Sequence, residues 1–180
     1  MSSAPVSQPN PQIDHAHAQL QPHLRRTAAD PRPSTLAHSI VSAYPSFRRL
    51  SIDSYIYSHH GLWNIDYPRE RYEEYQLEAE AALRAELISA LTGGQVDLVL
   101  DFSFAYHEVR EEWKRLIEGS GGRWVLVFLD VDAAELRRRV QARNERVDED
   151  GDSAFYVTEE VLERYLSGFE RPDGEGEIVL

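Results

Sequence analysis

Apolar residues recur with two different spacings along the chain from Ser34 onward. Apolar positions three or four residues apart predict helices over residues 34–43, 67–91, 106–118, 133–146 and 158–167. Short and nearly continuous apolar runs predict strands over residues 47–52, 96–102, 124–129 and 177–180. Because helices separate the strands, the pattern indicates an α/β fold that is built on a parallel sheet.

Residues 1–33 differ in composition from the rest of the chain. They contain six of the nine prolines and no sustained apolar period. We therefore expect a disordered, proline-rich leader over residues 1–33 and one folded domain over residues 34–180. The leader also contains His15, His17 and His23, and without a rigid scaffold solvated histidines explain them better than a metal site does.

The composition limits the classes of partner. The chain has 180 residues, no cysteine and a net charge of −12. This charge repels a nucleic-acid backbone, so we expect no nucleic-acid partner. No segment approaches the roughly 18 apolar residues of a membrane span, so we expect no membrane partner either. The lack of cysteine fits a reducing compartment, and we predict a cytoplasmic protein.

Aspartates stand at the predicted carboxyl ends of the strands, which is where open α/β sheets bind their ligands. Asp53 follows L-S-I and could accept a proton from a substrate hydroxyl, whereas Asp101 ends D-L-V-L-D and could hold Mg²⁺. Alternatively, each of these aspartates has only a structural role and turns the chain where a strand ends. The presence of both aspartates at one edge of the sheet favours a functional site over this structural role. Asp130 and Asp132 follow the third strand, and there a helix cap at Asp132 is the better explanation.

The helix predicted over residues 133–146 is rich in arginine. Arg139 and Arg143 are four residues apart and share a face, where like charges repel unless an anion lies between them. A polyphosphate would be such an anion. A solvated helix whose positive charge suits the carboxyl end of the helix dipole is the simpler alternative.

The residues before Ser34 conflict with this pattern. A phosphate-binding loop, G-x-x-x-x-G-K-[ST], needs glycines for close backbone approach and a lysine for the outer phosphates. When this motif is aligned with the sequence, Thr27 and Arg32 occupy the two glycine positions and Pro33 occupies the lysine position. Ser34 occupies the position of the hydroxyl residue that holds Mg²⁺. Pro33 supplies neither an ammonium group nor a backbone donor. Only the hydroxyl is retained.

The remaining segments, in order, resemble the small P-loop kinases of the AAA_33 or zeta-toxin-like type. The resemblance extends over residues 34–180 and rests on S-T-L-A-H-S-I, L-S-I-D-S-Y, D-L-V-L-D-F-S-F, W-V-L-V-F-L-D-V, L-R-R-R-V-Q-A-R-N-E-R and V-T-E-E-V-L-E-R-Y-L-S-G-F-E-R-P. It implies a five-stranded parallel sheet with helices on both faces. It also implies that ATP and Mg²⁺ bind and that the γ-phosphoryl group passes to a small hydroxyl-bearing substrate.

The resemblance also implies roles for individual residues. It assigns the Mg²⁺ hydroxyl to Ser34, with Thr35 beside it, and the carboxylate that accepts the substrate proton to Asp53. It assigns the carboxylate that helps to hold the metal to Asp101. Lid arginines would be Arg139, Arg143 and Arg146, and the acceptor would lie near Tyr55, His59, His60 and Arg69.

One part of the family pattern is missing from the chain. In the family a hydrophobic strand precedes the glycine-rich loop and lies in the middle of the sheet. Residues 1–32 offer no run of four to six apolar residues. We therefore expect a sheet without its first, central strand, with two edges left unpaired and an incomplete P-loop kinase-like domain.

Several explanations of this departure stay open at the level of the sequence. The sequence could be a mis-assembled or alternatively spliced kinase, a kinase body that is inactive as written because its P-loop is absent. It could be a pseudokinase, or a kinase that uses Arg32 in place of the lysine. It could also be an acidic interaction module without catalysis, with a recognition surface formed by Trp63, Tyr67, Tyr72, Tyr75 and Phe104, although core packing explains Tyr72 and Tyr75 better.

Overall fold

The computed structural model describes residues 32–94, 96–145 and 157–180. Apart from Arg32 and Pro33, the predicted leader lies outside these residues. The described residues form six helices: α1 Pro33–Ala43, α2 Ile52–His60, α3 Tyr72–Gly93, α4 His107–Gly119, α5 Ala133–Asn144 and α6 Glu159–Gly168. They also form four strands: β1 Phe47–Ser51, β2 Asp97–Asp101, β3 Leu126–Phe128 and β4 Glu177–Val179. The α/β fold class predicted from the sequence is confirmed.

Helix α2 was not predicted, and it changes the place of Asp53. The strand predicted over residues 47–52 ends at Ser51, whose side chain accepts a hydrogen bond from the Ser54 amide at 3.3 Å. This N-cap turns the chain directly from strand to helix. Asp53 therefore lies in the first turn of α2 and not at the end of a strand. Ser51 and the four-residue spacing of Ile52 and Ile56 were the signals for this helix.

Helix α3 begins later than predicted. Pro68 has an extended backbone, and a 3-10 turn over Arg69–Arg71 leads into α3 at Tyr72. At the other end Gly94 adopts a φ of +70°, and its amide donates to the carbonyls of Ala90 and Leu91. A left-handed residue at this position favours glycine, so Gly94 ends the helix two residues beyond the predicted bound of residue 91.

The four strands form two separate parallel pairs. β1 pairs with β2, with Ser51 opposite Asp101, and β3 pairs with β4, with Val127 opposite Ile178. Among the residues that the structure describes, β2 and β3 do not pair with each other. The parallel pairing predicted from the sequence is confirmed, whereas the lack of a first, central strand stays a prediction because residues 1–31 lie outside the described residues.

Helix α1 packs against both pairs of strands. Its buried residues Leu36 and Ile40 contact Val99 of β2, Val127 of β3 and Ile178 of β4. The larger core lies beneath α3 and α4 and contains Leu50, Leu83, Leu87 and Trp113. Within the described residues, no helix combines the length and the apolar composition that crossing a membrane requires.

A buried ion network ties the carboxyl-terminal segment to α4. Arg110 donates to Glu175 from Nε at 2.9 Å and from Nη2 at 2.6 Å, and Lys114 donates from Nζ at 3.1 Å. The Arg110 and Glu175 side chains are only 2% and 7% exposed. Their hydrogen bonds hold the pKa of the Glu175 carboxyl well below its usual range, with Arg110 as the main cause.

Candidate functional site

The candidate site lies at the carboxyl ends of β1 and β2. Because these strands are parallel and Ser51 pairs with Asp101, both strands end at the same edge of the sheet. Helix α1 ends at Ala43, just before β1 begins at Phe47, so α1 runs back along the sheet. The helix and the strand have similar lengths of about 16 Å. Ser34 and Thr35 lie in the first turn of α1, and we expect this turn to lie toward the edge that carries Asp101.

Asp101 forms a buried ion pair with Arg49 of β1. Arg49 donates to Asp101 Oδ2 from Nε at 2.9 Å and from Nη2 at 2.5 Å. The two side chains are 12% and 7% exposed. A bound metal ion would therefore have to share Asp101 with a guanidinium group. Sequence reasoning missed Arg49, although an arginine two residues from the end of a strand was a usable signal, since alternate residues share a face.

Asp53 lies close to tyrosine hydroxyl groups. The Tyr72 hydroxyl of α3 donates to Asp53 Oδ1 at 3.4 Å. Burial and then the nearby charge of Asp53 raise the pKa of Tyr67 to about 12. The same two causes, in the same order, raise the pKa of Tyr72 and of Tyr165. Three phenols that remain protonated thus lie within the electrostatic field of this carboxylate, one of them on α6. Asp53 is exposed, so it can also meet a hydroxyl group from solution.

The residues that the sequence assigned to the acceptor form ring pairs along α2 and α3. Tyr55 stacks on His59 with ring centroids 3.9 Å apart, and His60 stacks on Tyr75 at 3.6 Å. Glu78 links the two pairs, because its Oε1 accepts from the Tyr55 hydroxyl and its Oε2 lies 3.2 Å from His60 Nε2. These residues form one surface. Arg69 lies over the Trp63 ring instead, at 4.6 Å.

The aromatic residues of the alternative recognition surface belong to a second small core. Tyr67 is buried there with Ile56 and Ala79, and Trp63, Tyr72 and Tyr75 pack against these residues. The packing expected for Tyr72 and Tyr75 is confirmed. Phe104 belongs to a different cluster, beside Trp113.

Arg137, Arg138 and Arg139 of α5 have carboxylate partners. Arg139 Nε donates to Glu135 Oε1 at 2.6 Å, and Arg138 also binds Glu135. Hydrogen bonds from Arg138 and then Arg139 lower the pKa of Glu135 to about 2. Glu135 thus supplies negative charge beside Arg139. Arg143 is half-buried on the same helix, and Arg146 lies outside the described residues.

The aspartates after β3 have structural partners. Asp132 caps α5, because its Oδ1 accepts a hydrogen bond from the Glu135 amide at 3.0 Å. This interpretation of Asp132 from the sequence is confirmed. Asp130 accepts two hydrogen bonds from Arg171, each at 2.6 Å, which hold the pKa of Asp130 below its usual value.

The residues present fit a metal ion better than they fit a polyphosphate. Ser34 and Asp101 offer a hydroxyl and a carboxylate oxygen, which are the ligand types that Mg²⁺ prefers. At the start of α1, however, Pro33 is the first helical residue and Arg32 is the N-cap, with no side-chain cap bond. Pro33 has no N–H group to donate. The lysine and glycines of a phosphate loop are replaced, so this segment does not fit a triphosphate.

Comparison with known proteins assigns the family. Residues 34–172 match the AAA_33 family, which is described as an AAA domain. No curated protein and no solved structure matches the chain. The matched segment begins in the first turn of α1 and includes β1, β2 and β3. Since it spans more than half of the sequence, the chain belongs to the AAA_33 family of P-loop, kinase-like AAA domains.

Proposed function

We propose that the chain is the body of an ATP-dependent small-molecule kinase, inactive as written because it lacks the phosphate-binding loop. Members of the family are nucleotide-binding, kinase-like domains and typically use Mg²⁺. The proposal rests on one observation above all, the sequence D-P-R-P at the start of α1. Phosphoryl transfer depends on positioning and charge neutralisation, so the loss of the loop and its lysine removes the main source of catalysis.

In this proposal the acceptor half of the site keeps its chemistry. Asp53 is exposed and accepts a hydrogen bond from Tyr72, so it can orient a substrate hydroxyl group and take up its proton. Ser34 and Asp101 would hold Mg²⁺, and Arg139, Arg143 and Arg146 would belong to the lid. Bound Mg²⁺ would neutralise phosphate charge. The substrate is a small molecule with a hydroxyl group.

A chimaeric chain tests this proposal. The residues before Ser34 are replaced by an apolar strand of about five residues and a G-x-x-x-x-G-K loop. We expect the chimaera to bind ATP with Mg²⁺ and to hydrolyse it slowly, and we expect D101N in the chimaera to reduce hydrolysis at least about tenfold. D130N is the matched control and should leave hydrolysis unchanged. A folded chimaera that fails to bind ATP contradicts the proposal.

A second candidate is a binding module without catalysis. The observation that favours it is the ion pair of Arg49 with Asp101, because the positive charge of Arg49 already neutralises the carboxylate that would hold Mg²⁺. The chimaera separates the two candidates. If the folded chimaera binds ATP but does not hydrolyse it, and D101N leaves ATP binding unchanged, Asp101 is structural and the second candidate is favoured.

A further inference from the structure

A groove of about 300 Å³ opens between α3 and α4, beside the carboxyl end of β2. Most of its wall is apolar, and the apolar lining residues are Ile52, Leu77, Phe102, Phe104, Val109 and Trp113. Asp53 follows the lining residue Ile52 in the chain and accepts a hydrogen bond from Tyr72, the residue before the lining residue Glu73. The carboxylate that would receive the acceptor hydroxyl is thus one residue away from the lining at two points, although it is not itself a lining residue.

Three aromatic rings form one side of this groove. The rings of Phe102 and Trp113 meet edge to face, with centroids 5.0 Å apart, and those of Phe104 and Trp113 lie 6.0 Å apart. Phe102 and Phe104 lie 5.4 Å apart. Trp113 is buried, and the Arg84 guanidinium lies over its ring, 4.6 Å from the centroid. The rings of Phe102 and Phe104 therefore provide the rigid apolar surface, and partly negative ring faces of this kind attract both flat apolar groups and cations.

Phe104 has a strained backbone that the surrounding residues maintain. Its φ is +42°, in the left-handed region that a bulky side chain rarely adopts. The buried Arg110 donates from Nη1 to the Phe104 carbonyl at 2.8 Å, and the Glu170 amide donates to the next carbonyl, that of Ala105, at 2.9 Å. Backbone strain persists where the surroundings enforce it, often in a ligand-binding segment. The bonds thus fix the Phe104 ring in the wall of the groove.

The groove is acidic as well as aromatic. Two of its lining residues, Glu73 and Glu80, carry carboxylates, and none of the described lining residues is a lysine, arginine or histidine. Arg84, outside the lining, pairs with Glu80, with Nη2 at 2.7 Å from Oε1. This pair offsets the charge of Glu80, so the negative charge that a ligand meets comes mainly from Glu73. Aromatic rings together with carboxylates complement an organic cation, whereas the same carboxylates repel an anion.

We propose that this groove binds a small organic cation, an aromatic or apolar body that carries an ammonium group. The volume of the groove accommodates about ten water-sized groups, so we expect a ligand with about ten non-hydrogen atoms. The ammonium group lies at Glu73 and the apolar body lies against the rings. The next part rests on the proposed function: the ligand also carries the hydroxyl group that faces Asp53. The groove would then be the acceptor site of the kinase.

Binding of tyramine, in the absence of nucleotide, tests this proposal. Tyramine has a ring, a hydroxyl group and an ammonium group at the required size. 3-(4-Hydroxyphenyl)propionate is the matched anion. Titrations followed by amide and indole NMR signals give both the affinity and the location. We expect tyramine to shift the Trp113 indole signal and to bind at least about tenfold more tightly than the anion does.

Two exposed neighbours on α3 provide the variant and its control. E73Q removes a lining carboxylate and should weaken tyramine binding about fivefold. E74Q removes a carboxylate that pairs with Arg71 outside the groove and should leave the affinity unchanged. Equal binding of tyramine and the anion, equal effects of the two variants, or no shift at about 10 mM tyramine would overturn the proposal. Because no nucleotide is present, failure here is distinct from failure of the chimaera to bind ATP.

Discussion

Glu175 should stabilise the fold far more than an ordinary surface glutamate does. The E175Q substitution leaves Arg110 buried without a carboxylate, and the Arg110 side chain is only 2% exposed. Removing one partner of a buried ion pair typically costs about 3–5 kcal/mol. Because the glutamine oxygen still accepts a hydrogen bond, we expect E175Q to lower the free energy of unfolding by about 3 kcal/mol. Urea unfolding followed by tryptophan fluorescence measures this loss.

A matched control distinguishes burial from charge alone. Glu86 pairs with Arg48 at 3.2 Å, but these side chains are 40% and 50% exposed. E86Q makes the same chemical change at an exposed site and should lower the free energy of unfolding by less than about 1 kcal/mol. If the two substitutions have equal effects, the stabilising role assigned to the buried network is wrong.

The stability conferred by Glu175 should also depend on pH in a defined direction. Its pKa is depressed in the folded state from the ordinary value of 4.5. The stabilisation is therefore present above about pH 4.5 and is lost as the pH falls below this value, because the unfolded chain then takes up a proton that the folded carboxyl does not. The difference between the wild type and E175Q should shrink as the pH falls below 4.5. A difference that does not change between pH 6 and pH 3 would show that the Glu175 charge is not the source of the stabilisation.

Three further substitutions test local features by urea unfolding. G61A should cost at least about 1 kcal/mol, because Gly61 has a φ of +84° and a Cβ there would clash with the Asp66 side chain; no loss would contradict this. D132A should cost about 1 kcal/mol through the lost helix cap, and a D132N variant should recover most of it. R49M should cost about 3–5 kcal/mol by leaving Asp101 buried alone. Adding D101N should recover part of that loss, and a double variant as unstable as R49M would argue against the ion pair.

The sequence predicted helices and strands well where the apolar residues kept a single spacing over the whole element. The strand at β2 and the helices α1 and α4 appear within about two residues of the predicted bounds. The helix α2 was missed because the apolar run through β1 continues into its first residue, Ile52, and only the Ser51 cap marks the change. For the same reason Asp53 was assigned to the end of a strand.

The partners of the candidate residues could not be predicted from the sequence. Arg49 and Asp101 are 52 positions apart, and only the pairing of β1 with β2 brings their side chains together. Tyr165 reaches the field of Asp53 only because α6 folds back toward α2. The groove beside Phe104 depends on Arg110, which no local pattern connects with that carbonyl. Spacing finds residues on one element, whereas contacts between elements depend on the tertiary fold.

Whether the unaltered chain binds ATP decides whether its phosphate-binding function is lost. The measurement is the midpoint of thermal unfolding of the full chain in Mg²⁺, with and without about 5 mM ATP, and the chimaera with an intact loop serves as the positive control. A ligand at about 100 times its Kd adds about 2.7 kcal/mol of stability, which in a chain of this size raises the midpoint by about 5–10 °C. We predict that rise for the chimaera and no ATP-dependent change for the unaltered chain. A saturable rise in the unaltered chain would contradict the claim that D-P-R-P cannot replace a phosphate-binding loop.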